Sequence, residues 1–184
     1  MNRINSLKWT SLALTLITIS LSCSERSSNN NRTEIVLDSA LMIPDFVIST
    51  VEDSTTFSSS DISKDGLILL KYFSPDCDHC QNEAVLYLSK KDSLQNIKTI
   101  WVTGNWAPMD SIREFTDIYG LQQINPIAIG KESYNSLISY YKFEGIPYNA
   151  LYKDNQLIKE YPGSVDFSEL ISISAQYTFL DKNQ

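Results

Sequence analysis

The chain has 184 residues, 42% of them hydrophobic, with 15 Lys and Arg against 22 Asp and Glu and a formal charge of −7. That acidity argues against nucleic-acid binding by bulk charge and fits a solvated surface. The length suits one globular domain with a real core, and no internal repeat divides it.

The first predicted element is an export signal. Arg3 and Lys8 form a basic start, and Trp9 to Leu21 carries no charge. That run is about 13 residues, too short for a helix to span a bilayer, which needs roughly 20. It ends at Leu21-Ser22-Cys23, a small residue then cysteine, which resembles a bacterial lipoprotein lipobox. Ser20 stands where that motif carries an apolar residue. Residues 1–22 therefore read as a lipoprotein signal peptide, with Cys23 as the lipidated residue. Residues 24–33 are polar without apolar periodicity and, with Cys23, read as a flexible tether over 23–33. The remaining stretch, 34–184, is the expected globular domain.

Within it, Glu34 to Leu41 and Phe46 to Val51 are predicted to pair as an N-terminal hairpin around Ile43-Pro44-Asp45. Leu67 to Phe73 is a near-continuous apolar run, as expected of a central strand buried on both faces, broken only by Lys71. A helical pattern through Ala84, Val85 and Leu88 follows, then a strand over Ile97 to Thr103. Asp110 or Ser111 can cap a helix reaching Tyr119, with Gly120 just beyond. A short strand at Pro126 to Ile129 and a helix at Ser133 to Tyr141 come next. Tyr148 to Tyr152 and Gln156 to Tyr161 flank the turn signal Lys153-Asp154-Asn155, and Val165 to Tyr177 reads as a closing helix. Strands alternating with helices imply parallel pairing through crossovers, and the final hairpin adds antiparallel edges. The expected class is α/β with a mixed central sheet flanked by helices.

Between the apolar strand and the following helix lie Cys77-Asp78-His79-Cys80. A C-x-x-C at such a junction is the arrangement thiol–disulfide chemistry uses. A helix N-terminus offers free N–H groups and a partial positive charge, which suit a nucleophilic sulfur at Cys77. Cys80, one turn on, can resolve a mixed disulfide. Three cysteines is an odd number for an exported protein. Lipid on Cys23 removes the anomaly and leaves one dithiol pair for an oxidising compartment.

These residues resemble the thioredoxin superfamily, above all its exported, membrane-tethered TlpA- and ResA-like thiol–disulfide oxidoreductases. Four pieces, spread over roughly residues 41–175, carry the likeness: Met42-Ile43-Pro44-Asp45-Phe46; Tyr72 through Cys80; Gly145-Ile146-Pro147; and Asn149 through Asn155 with Tyr161-Pro162-Gly163. The resemblance implies a thioredoxin-like fold with an N-terminal β-hairpin extension. It implies a cis Pro147 facing the dithiol, so that the backbone of Ile146 and Pro147 can hold an extended substrate segment. X–Pro bonds reach the cis form for only about 0.5–1 kcal/mol, so the carry-over is physically reasonable.

Two departures stand out. The position six residues before Cys77, a buried acid in thioredoxin itself, is Lys71 here. The resemblance offers Glu83, three residues after Cys80, as a substitute carboxylate and proton shuttle. The second departure is Asp78-His79: an imidazolium before the second cysteine stabilises a thiolate, whereas Asp78 opposes it. Both residues tune the dithiol, and the direction of electron flow stays open.

Other chemistries fit less well. A zinc site needs four ligands, and Cys77, His79 and Cys80 share one turn with no second cluster, so no metal is expected. Covalent haem needs C-x-x-C-H, and position 81 is Gln. A structural disulfide across two residues would constrain the unfolded chain little. The competing reading is a non-enzymatic lipoprotein that uses the fold to bind a peptide or partner protein. The reading preferred is an extracytoplasmic oxidoreductase of the bacterial cell envelope. Its only redox group is the Cys77–Cys80 pair, with no added cofactor. Its partners are protein thiols and disulfides, a membrane electron-transfer protein and, through Cys23, the lipid bilayer.

Overall fold

The computed structural model describes residues 42–52, 55–124 and 126–181. The signal, the tether with Cys23 and the segment 34–41 lie outside the described residues. The described strands are β1 (Val47–Thr50), β2 (Thr56–Ser58), β3 (Leu67–Tyr72), β4 (Ile97–Thr103), β5 (Ala128–Glu132), β6 (Tyr148–Lys153) and β7 (Gln156–Pro162). The described helices are α1 (Asp78–Ser89), α2 (Met109–Ile118), α3 (Ser136–Tyr141) and α4 (Phe167–Asp181).

The strands form one mixed sheet in the order β2-β1-β5-β4-β3-β6-β7. β3, β4 and β5 run parallel; β6 lies antiparallel to β3, and β1 antiparallel to β5. Crossovers carrying α1 and α2 account for the parallel pairs. β3 sits between β4 and β6, and all six of its residues are buried. That is why its sequence reads as a run rather than an alternation. The period-two geometry of the strand still sorts its side chains. Ile68, Leu70 and Tyr72 pack with Ile48, Val102 and Leu137 on the α3 face. Leu67 and Leu69 pack with Tyr87, Leu94 and Leu170 on the face covered by α1 and α4. By the same alternation Lys71 points to the α1 side.

The register of β3 against β6 sets up the functional end of the sheet. Lys71 pairs with Asn149 and Tyr72 with Tyr148. The chain leaving β3 toward Cys77 and the chain entering β6 from Ile146-Pro147 therefore run side by side.

Several boundaries differ from the sequence reading for local reasons. β1 and β2 form an antiparallel hairpin, with Val47 opposite Ser58; the other arm expected from the sequence, 34–41, lies outside the described residues. α2 starts at Met109 because Pro108, extended at φ −63 and ψ 140, takes the cap position and supplies no side-chain bond. β5 begins at Ala128; the Ile127 N–H is already given to the Thr99 carbonyl at 2.8 Å. α3 begins only at Ser136, because Asn135 adopts a left-handed conformation at φ 51. The β6–β7 turn follows expectation: Asp154 and Asn155 have φ of 50 and 66, the pair of positive values a tight two-residue hairpin requires.

Candidate active site

Cys77 is the N-cap residue of α1, extended at φ −91 and ψ 113. Its Sγ accepts the Cys80 backbone N–H at 3.3 Å, and its carbonyl accepts the Gln81 N–H at 3.0 Å. A sulfur thus fills the role that a serine or aspartate oxygen plays at most helix starts. The loop before it is held from the helix, since Gln81 Nε2 donates to the Pro75 carbonyl at 2.9 Å. Cys77 is partly exposed, whereas Cys80 is 1% exposed, and both are free thiols. Asp78 and His79 occupy the exposed first turn of α1, open to solvent.

The Ile146–Pro147 peptide is cis. The Cys77 thiol lies 3.8 Å from the Ile146 carbonyl, to which it donates. The structure thus brings Cys77, Cys80, Ile146 and Pro147 together. Beside them opens a cleft of about 650 Å³ whose walls include Tyr141, Phe143, Pro147, Tyr148 and Glu160. Phe143 stacks on Tyr148 with ring centroids 4.6 Å apart, and Tyr72 packs on Phe143 at 4.9 Å. Tyr148 donates its hydroxyl to the Glu160 carboxylate. Trp106 is half-exposed; its ring covers Gly104, where an added Cβ would lie 1.9 Å from it, and it reaches Tyr72 at 6.0 Å.

On the buried side of the dithiol lies an ion pair. Lys71 Nζ donates to Glu83 Oε1 at 2.8 Å, and both side chains are 1% exposed. Nζ also donates to Asn149 Oδ1 at 2.6 Å and sits 4.8 Å from the Trp101 ring centroid. Glu83 Oε1 accepts the Val165 N–H at 3.1 Å, while Oε2 is buried without a hydrogen-bond partner. Burial lowers the Lys71 ammonium from its ordinary value, and the Glu83 carboxylate pushes back. Burial pushes the Cys80 thiol well up, with the Cys77 side chain and the Glu83 charge adding to it. Glu83 is therefore enclosed behind the dithiol rather than solvated on a helix face.

Sequence reasoning marked Lys71 only as a departure and missed Asn149, Trp101 and the aromatic cleft. A signal for the pairing existed: Glu83 follows Cys80 by three positions, the same face of a helix, and a lysine inside an apolar strand needs a buried counter-charge. Asn149 could be found only from the β3–β6 register.

The two thiols differ in access, and burial holds the Cys80 thiol well above its ordinary value. At pH 7–8 iodoacetamide is expected to alkylate Cys77 in the folded chain and to leave Cys80 unmodified until denaturant is added. Peptide mass spectrometry reads this directly; equal labelling of both would contradict the burial of Cys80.

No family model matches the chain, and no curated protein matches it. Solved structures do. One is a secreted disulfide oxidoreductase of Mycobacterium tuberculosis homologous to Escherichia coli DsbE. It has a TM-score of 0.58 and 14% identity over 71% of this chain and 95% of that one. A thioredoxin-family thiol:disulfide interchange protein from Chlorobium tepidum gives 0.56 and 16%, covering 73% and 95%. The thioredoxin domain of a thiol–disulfide oxidoreductase from Bacteroides vulgatus gives 0.57 and 10%, covering 74% and 94%. The fold of this chain is thioredoxin-like.

Proposed function

We propose that the protein is an extracytoplasmic thiol–disulfide oxidoreductase that exchanges a Cys77–Cys80 dithiol or disulfide with protein substrates. One observation carries this reading: the C-x-x-C caps a helix and its outer thiol faces the carbonyl before a cis proline, 3.8 Å away. The fold shared with disulfide oxidoreductases supports it.

In the reducing direction Cys77 gives its proton to water and its Sγ attacks a substrate disulfide. A sulfur–sulfur bond forms between Cys77 and one substrate sulfur, and the other leaves as a thiolate and takes a proton from water. Cys80 then loses its proton to Glu83, and its sulfur attacks Cys77 Sγ. The Cys77–Cys80 disulfide forms, the second substrate thiolate departs and is protonated, and Glu83 returns its proton to solvent. Two electrons pass from dithiol to substrate, and the reverse sequence oxidises a substrate dithiol. No added cofactor is required, because the disulfide is the redox group. The backbone of Ile146 and Pro147 aligns the substrate chain, and the aromatic cleft beside it receives the flanking residues. Asp78 and His79, exposed on the turn between the sulfurs, tune their reactivity.

Turnover in the cell needs a membrane electron-transfer partner to reset the pair. The basic start, short apolar run and Cys23 support export and lipid anchoring to a bacterial envelope membrane, with 34–184 as the catalytic domain. None of the described helices is long and apolar enough to cross a membrane. Mass spectrometry of the mature N-terminus is expected to find acyl chains on Cys23; an N-terminus elsewhere, without lipid, would remove the anchor. Insulin reduction with dithiothreitol as electron source tests the activity itself: the chain is expected to accelerate it, and an unchanged rate would remove the reading.

A further inference from the structure

Lys71 is a buried cation beside the dithiol that the exchange steps above leave unused. It lies on the central strand at the place where the resemblance sets an acid, and it is fully enclosed. Placing a lysine there costs desolvation free energy that an apolar residue would avoid.

We propose that Lys71 is a positioning residue for the resolving step: its ammonium pins the Glu83 carboxylate behind Cys80 and offsets the negative charge that develops on the Cys80 sulfur. The proposal rests on the dithiol reading above. Its basis is the geometry of the pair. Lys71 occupies only Oε1 of the carboxylate, at 2.8 Å. The Val165 N–H shares that same oxygen, and Oε2 is left buried and unpartnered. That is the arrangement a proton acceptor needs: an oxygen held in place, out of water, with a free lone pair. Cys80 and Glu83 stand three residues apart on α1, on one helix face. Trp101 ties the groups together, since its ring lies under Lys71 Nζ and packs in the same cluster as Cys80. The charge of Cys80 bears on Lys71 and that of Glu83 on Cys80, which agrees with this proximity.

The step balances within the residues named. The Cys80 proton moves to Glu83 Oε2, and the sulfur's electron pair forms the bond to Cys77. The electron pair of the broken mixed disulfide leaves with the substrate sulfur. Lys71 keeps its proton throughout. It therefore faces one negative charge before the transfer, on Glu83, and one after it, on Cys80. Without Lys71, the carboxylate or the thiolate would be an isolated buried anion.

The test separates this role from that of a fold staple. The double variant Lys71→Met/Glu83→Gln removes both charges and roughly keeps volume, a replacement buried ion pairs commonly tolerate. Lys71→Gln, which keeps the Glu83 carboxylate and a hydrogen-bond donor to its Oε1 but removes the ammonium, is run beside it and isolates the part of Lys71 from that of the acceptor. The reduced full chain is mixed with excess oxidised glutathione. Quenched samples are followed by mass spectrometry for the Cys77–glutathione adduct and its conversion to the Cys77–Cys80 disulfide. The expected result is adduct formation at the wild-type rate and conversion slowed about a hundredfold, the low end of what a positioned proton acceptor contributes. Conversion at the wild-type rate in folded Lys71→Gln would show that the cation takes no part in the step and overturn the proposal. If the wild-type chain forms no adduct and no disulfide, the dithiol reading itself fails, and this inference falls with it.

Discussion

Replacing Cys77 with serine is expected to abolish disulfide exchange, bringing insulin reduction down to the rate of dithiothreitol alone. Cys77 is the only described thiol that solvent and a substrate can reach; Cys80 is buried beneath it. A serine hydroxyl at the same cap position can keep the helix start, since serine is among the preferred N-cap residues. The loss will therefore be one of chemistry rather than of fold, and an unchanged melting temperature checks that. Cys80→Ser is expected to behave differently. The first attack still occurs, so the variant should accumulate a mixed disulfide on Cys77, visible by mass as a covalent adduct. Cys77→Ser with undiminished activity would assign the chemistry to another residue. Cys80→Ser with full turnover would remove the resolving role.

The second large effect is on stability. Glu83→Ala leaves the Lys71 ammonium fully buried with Asn149 as its remaining hydrogen-bond acceptor, and it also deprives the Val165 N–H of its partner. Removing one member of a buried ion pair costs about 3–5 kcal/mol. For a domain of this size that corresponds to a fall in Tm on the order of 10 °C. Differential scanning calorimetry reads it. A Tm within a degree or two of wild type would mean that Lys71 sheds its proton or that water enters behind the dithiol, and either contradicts the enclosed pair. Asp78 and His79 form a useful contrast: both are exposed, and their substitution is expected to leave Tm essentially unchanged.

How much of this was legible in the sequence depends on which forces act locally. The C-x-x-C declared itself because a cap and a helix start are determined within a few residues of Cys77. β4 could be read at both ends, Ile97 and Thr103, because β-branched and aromatic residues fill it and turns flank it. The Asp154-Asn155 turn was readable for the same reason, as those two side chains tolerate positive φ. Asn135 and Pro108 shifted the starts of α3 and α2 by conformations that a helical pattern does not record. The larger gap was Lys71. A lysine in an apolar strand signals a compensating partner, but which partner follows from two separate facts of tertiary structure. One is that β3 alternation turns Lys71 toward α1; the other is the register that sets Asn149 opposite it. The aromatic cleft was equally hidden. Tyr141 ends α3, Phe143 follows it, and Tyr148 and Glu160 lie on β6 and β7, so only the β6–β7 pairing and the path of the chain between α3 and β6 gather them.

Disulfide exchange requires Cys77 and Cys80 to form a reversible redox couple, and that can be measured without knowing a substrate. The full chain is equilibrated in glutathione buffers of graded ratio, trapped by acid and alkylation, and the Cys77–Cys80 disulfide quantified by mass spectrometry. The expected result is one two-electron transition between dithiol and disulfide, with a midpoint in the range of about −120 to −270 mV covered by thiol-exchange proteins. A chain whose two cysteines remain thiols at every ratio, or form only glutathione adducts, would contradict the account.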